Sequence, residues 1–123
     1  MAEPKKPAAS RDELLDRSFV AVVRHRWSFP RYTREAAVAR VGRQCPGFQP
    51  PQYERAFDKA EELYQRAIKD VQREFARFPE KRLWRAADVP RDITDELRRS
   101  VPGFRLSTYR YAVGCILDWH HWR

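Results

Sequence analysis

The sequence predicts an all-α fold of about five helices, in which a helical hairpin is duplicated behind an additional N-terminal helix. Three observations predict it. Apolar residues recur at threes and fours along most of the chain, the spacing of helices with one buried face. Only four glycines occur in 123 residues, too few for a turn-rich β barrel or a glycine-rich phosphate loop. Shifting the chain by 56 residues lays 34–67 on 90–123 without a gap, and six positions are then identical: Arg43/Arg99, Pro46/Pro102, Gly47/Gly103, Phe48/Phe104, Tyr53/Tyr109 and Ala56/Ala112.

The first nine residues carry two prolines and two lysines and read as a disordered tail. Ser10 to Glu13 spells S-x-x-E, a capping box that opens a helix over 11–27. Leu15, Phe19, Val22 and Val23 line its inner side, broadened by Leu14 and Val20. Phe29-Pro30 ends it. Thr33 is a good N-cap for a second helix of about eleven residues, with Ala37, Val38, Val41 and Cys45 inward and Arg40 and Arg43 outward.

Cys45-Pro46-Gly47-Phe48 then predicts a type II turn, with proline at its second place and glycine at its third. From Pro51 to Arg77 the periodicity is strongest: Tyr53, Ala56, Phe57, Ala60, Leu63, Tyr64, Ala67, Ile68, Val71 and Phe75 form one stripe. The other face carries mixed charge, Glu62 with Arg66 and Asp70 with Arg73, as a solvated surface should. Phe78-Pro79 breaks this helix, and a short helical turn around Leu83 and Trp84 is expected over 80–87. A fourth helix is expected over Pro90–Ser100 with Ile93 and Leu97 inward. Val101-Pro102-Gly103-Phe104 repeats the turn, and Ser107 caps a last helix with Tyr109, Ala112, Val113, Ile116 and Leu117 inward.

The chain therefore reads as one helical domain over 10–123 containing two repeats, 34–67 and 90–123. Each repeat is a short helix, a Pro-Gly-Phe turn and a longer helix. One such hairpin cannot cover its own apolar face; two packed together can. The expected architecture is a pseudo-twofold four-helix core with the first helix laid across it. In each turn proline and glycine would set the backbone, and the phenylalanine would plug the corner.

The net charge is +8, from 25 basic residues, twenty of them arginine, against 17 acidic ones. The excess sits on residues 22–49 and 81–123. A basic balance supports affinity for polyanions and says nothing about fold. Two cysteines, Cys45 and Cys115, stand in no metal or redox spacing, which fits a reducing compartment. No apolar run approaches the length of a membrane span, so a cytoplasmic protein without membrane association is expected.

Nothing in the sequence predicts catalysis. No serine has nucleophile-elbow spacing, and the pairs Glu61-Glu62 and Asp95-Glu96 diverge on a helix and read as surface charge. Cys115, Asp118 and His121 share an edge of the last helix but read as terminal polar decoration, so no metal or cofactor is expected. The expected role is binding, first as a protein-interaction or assembly module. Its contacts would be the long helix, including Tyr64, or the C-terminal Trp119 and Trp122. The alternative is an accessory protein that binds DNA or RNA. Arg40, Arg43, Arg98 and Arg99 would hold phosphates, with Trp27 and Trp84 nearby to stack bases. Gln52, Arg55 and Lys59 would share one outward face of the long helix.

Overall fold

The computed structural model describes residues 10–27, 33–77 and 91–121. Among these are five helices and no strand: α1 (Arg11–Trp27), α2 (Arg34–Gln44), α3 (Pro50–Arg77), α4 (Arg91–Ser100) and α5 (Leu106–His121). The predicted bounds hold to within a residue at nearly every end. The tail over 1–9, the turn expected over 80–87, Trp84 and Trp122 lie outside the described residues, as does the Trp119 side chain.

The helix starts follow local chemistry. Ser10 Oγ accepts the Glu13 backbone N–H at 3.2 Å, half of the expected capping box. Thr33 Oγ1 accepts the Ala36 N–H at 3.1 Å, as an N-cap threonine does. The last helix departs from expectation. Ser107 lies inside α5, and the first turn closes instead onto the Arg105 carbonyl, which accepts from Thr108 N at 3.0 Å.

The two Pro-Gly turns are built alike. Gly47 and Gly103 have φ of 109° and 110°, a region that side chains disfavour. In each turn a tyrosine hydroxyl sits between the first carbonyl and the fourth amide. Tyr53 donates to Cys45 O at 2.6 Å and accepts from Phe48 N at 3.3 Å. Tyr109 donates to Val101 O at 2.6 Å and accepts from Phe104 N at 3.2 Å. Each phenylalanine meets its tyrosine edge-on at 5.8 Å, with interplanar angles of 79° and 78°. What is alike is the turn; the helices that follow differ, with 28 residues in α3 and 16 in α5.

The packing centres on α3, which meets all four other helices, and gives α1 a larger part than expected. The most extensive contacts of α1 are with α3 and then with α2, while α5 packs on α3 and α4. Phe19 and Val22 of α1 are fully buried, and the Phe19 ring meets Tyr111 of α5 edge-on at 5.9 Å. The expectation of a first helix laid across a finished four-helix core is thus corrected: α1 carries a full share of the apolar cluster. The inward residues named for α2, α3, α4 and α5 are buried or half-buried.

One polar residue sits where solvent was expected. Asp70 is only 1 % exposed. It lies seven residues after Leu63 and three after Ala67, on the apolar stripe of α3 itself. Arg66 pairs with it rather than with Glu62, Nε to Oδ1 at 3.1 Å, and Arg73 approaches the same oxygen at 3.3 Å. Arg73 also reaches Glu96 of α4 at 2.8 Å, so the ion pairs tie α3 to α4. Burial nonetheless pushes the Asp70 carboxyl above its ordinary range, against the pull of the two guanidinium groups.

Candidate functional site

The arginines divide into two populations. The first holds helices together. Arg26 of α1 meets Glu61 of α3 at 3.0 Å. Arg34 of α2 meets Glu54 and Asp58 of α3 at 3.0 and 2.6 Å, with its guanidinium 4.7 Å from the Phe57 ring centre. Arg105, at the start of α5, meets Asp16 of α1 at 3.1 Å, and Thr108 also hydrogen-bonds Asp16.

The second population faces solvent and includes Arg11, Arg17, Arg55 and Arg110 besides four arginines of α2 and α4. Arg40, Arg43, Arg98 and Arg99 are all exposed, and none has an acidic partner among the described residues. These are the four arginines that sequence reasoning singled out. Arg43 and Arg99 both stand two residues before the last residue ahead of a Pro-Gly turn, at matching places on α2 and α4.

Arg40 and Arg43 share a cleft of about 140 Å³ between α1 and α2. Arg24 and His25 of α1 line its other wall, and Ala21, Ala36 and Ala37 line the rest. Small side chains there leave room between the helices. The His25 ring rests edge-on against Phe57 at 6.1 Å between centroids. Three guanidinium groups around one concavity raise the local positive potential, and the exposed Arg40 and Arg43 can each offer two parallel N–H donors to a phosphate. Sequence reasoning missed Arg24 and His25 because they lie on a different helix from Arg40 and Arg43. Arg98 and Arg99 do not line this cleft.

Trp27 closes α1 three residues beyond Arg24. Its indole is 42 % exposed, and its Nε1–H donates to Tyr64 Oη at 2.7 Å. That bond fixes the ring while leaving it open to solvent. Tyr64, expected as a contact for a protein partner, is buried at 7 % exposure and serves as the anchor for Trp27. Arg26 lies 5.9 Å from the Tyr64 ring centre.

A second, larger cleft of about 500 Å³ lies between α1 and α3, lined by Arg11, Leu14, Leu15, Phe48, Gln52, Arg55, Ala56 and Lys59. The outward set Gln52, Arg55 and Lys59 is thus brought together with Arg11 of α1. Among the described residues no three metal-ligating side chains converge. Nor is any described helix long and apolar enough to cross a membrane. Comparison with family models, with curated proteins and with solved structures gives no match to this chain.

Proposed function

We propose that the chain is a small basic binding module whose ligand is nucleic acid, held through the arginines of α2 and α4. Among the exposed arginines without an acidic partner, Arg40 and Arg43 share the α1–α2 cleft, and that pairing carries this reading. The arginines that meet carboxylates staple the helices. Arg40, Arg43, Arg98 and Arg99 have no such duty among the described residues and stand in solvent. Guanidinium groups without a counter-ion on a +8 chain attract phosphates. Trp27 favours single strands over duplex, because an immobilised, half-exposed indole offers a face on which an unpaired base can stack. Phosphates would seat in the α1–α2 cleft, with the stacked base beside Arg24.

Assembly with a protein partner has less support. The apolar stripe from Tyr53 to Phe75 that would serve it is packed against the chain's own helices. Tyr64 is buried, and Trp119 and Trp122 lie outside the described side chains.

Fluorescence anisotropy of a labelled single-stranded oligonucleotide tests the reading. The pairs Arg40→Glu with Arg43→Glu, and Arg43→Glu with Arg99→Glu, should each weaken binding at least tenfold while helicity is retained. Arg55→Glu with Lys59→Glu changes net charge equally and should retain most of the affinity. Equal weakening in all three variants would mean that bulk charge, and not these arginines, does the binding.

A further inference from the structure

The α1–α3 cleft is chemically unlike the α1–α2 cleft. Leu14, Leu15, Phe48 and Ala56 give it an apolar floor, and Arg11, Arg55 and Lys59 give it a cationic rim. None of those three cations has a carboxylate partner among the described residues, although ion pairs join helices elsewhere in the fold. Like charges converging on one concavity repel unless an anion joins them.

The donors are also held in place. Gln52 Oε1 accepts the Gln49 backbone N–H at 2.7 Å, which orients the amide so that its NH₂ remains a donor. The Lys59 ammonium lies against the second Pro-Gly turn, where a Cβ on Gly103 would come within 2.8 Å of Nζ. The absence of a side chain at Gly103 therefore makes the space that Lys59 occupies. About 500 Å³ is within the size range of sites for small organic ligands, which pair an apolar lining with a few polar groups that fix orientation.

We propose that this cleft binds a small anionic amphiphile, an organic phosphate whose apolar body lies on Leu14, Leu15 and Phe48 and whose headgroup is held by Arg11, Arg55 and Lys59. The site is separate from the nucleic-acid reading and does not depend on it.

Dodecyl phosphate, kept below its critical micelle concentration, is the probe, titrated into isotope-labelled protein and followed by NMR. The expected result is saturable one-to-one binding that shifts the resonances of Leu14, Leu15, Phe48 and Ala56. Inorganic phosphate alone should bind at least tenfold more weakly, because it lacks the body that the floor receives. Arg55→Glu with Lys59→Glu should weaken dodecyl phosphate at least tenfold, and the single exposed change Arg11→Glu should act in the same direction. Arg40→Glu with Arg43→Glu should leave it unchanged. Sedimentation with phosphatidylcholine vesicles containing dodecyl phosphate separates a free ligand from a membrane surface. Protein that stays in solution supports the pocket, whereas protein that pellets with vesicles and shows no one-to-one saturation overturns it. Saturable binding that survives both charge-reversing variants of the rim would overturn it as well.

Discussion

Removing one oxygen from each turn should separate two sites that look identical in bonding. Tyr109→Phe deletes the hydroxyl that receives the Phe104 amide and donates to the Val101 carbonyl. Tyr109 is 1 % exposed, and Val101 and Phe104 are buried too, so water cannot take the place of that hydroxyl. Two backbone groups are left unpaired, each worth about 1–2 kcal/mol when buried, for a loss of about 2–4 kcal/mol. The aromatic contact with Phe104 is kept, so the loss reports the hydroxyl alone. Tyr53→Phe removes the same two bonds, but Tyr53 and Phe48 are only half-buried and water can reach the freed groups. Its loss should be about 1 kcal/mol. Urea denaturation of both variants, with m values unchanged, measures the difference. Equal losses, or a larger loss for Tyr53→Phe, would refute the claim that burial sets the cost of these hydroxyls.

Other outcomes follow from the same geometry. Gly47→Ala and Gly103→Ala each force a side chain to positive φ and should each lose about 1–2 kcal/mol in thermal denaturation. Gly103→Ala must also displace Lys59, so it alone should weaken dodecyl phosphate binding. The Asp70 carboxyl is raised by burial, so the folded state holds its proton more tightly than the unfolded chain. The contribution of this group to stability is therefore full below the ordinary aspartate range and falls as pH rises through the raised value. Asp70→Asn should flatten that part of the stability–pH curve; a steeper curve in the variant would reverse the assignment. Burial also pushes the Cys45 thiol up. Alkylation of native protein at neutral pH should leave Cys45 unmodified until the chain unfolds, and rapid labelling there would show that the α2 C-terminus opens.

Much of this fold is legible from one-dimensional signals. Ser10, Thr33 and the prolines mark helix ends because capping and φ restriction act within a few residues. Gly47 and Gly103 announce positive φ for the same reason. What escapes such reading depends on where helices cross. Asp70 looks solvated by residue type but lies on the same stripe as Leu63 and Ala67, where its charge is met by Arg66 and Arg73. Tyr53 and Tyr109 are visible as repeated aromatics, yet their hydroxyls act on backbone eight residues upstream. Arg40 and Arg43 share one face of α2 and can be read as a pair. Their partners across the cleft, Arg24 and His25, are brought to them only by the packing of α1 on α2.

The central claim is that Arg40 and Arg43 are phosphate ligands while their stapling counterparts are structural. The most direct measurement is the salt dependence of single-stranded oligonucleotide affinity for the wild-type chain and for Arg40→Gln with Arg43→Gln. Each phosphate contact contributes roughly 0.7 to the slope of log affinity against log salt, so the variant should lose roughly 1.4. An unchanged slope would place the phosphates elsewhere and contradict the account.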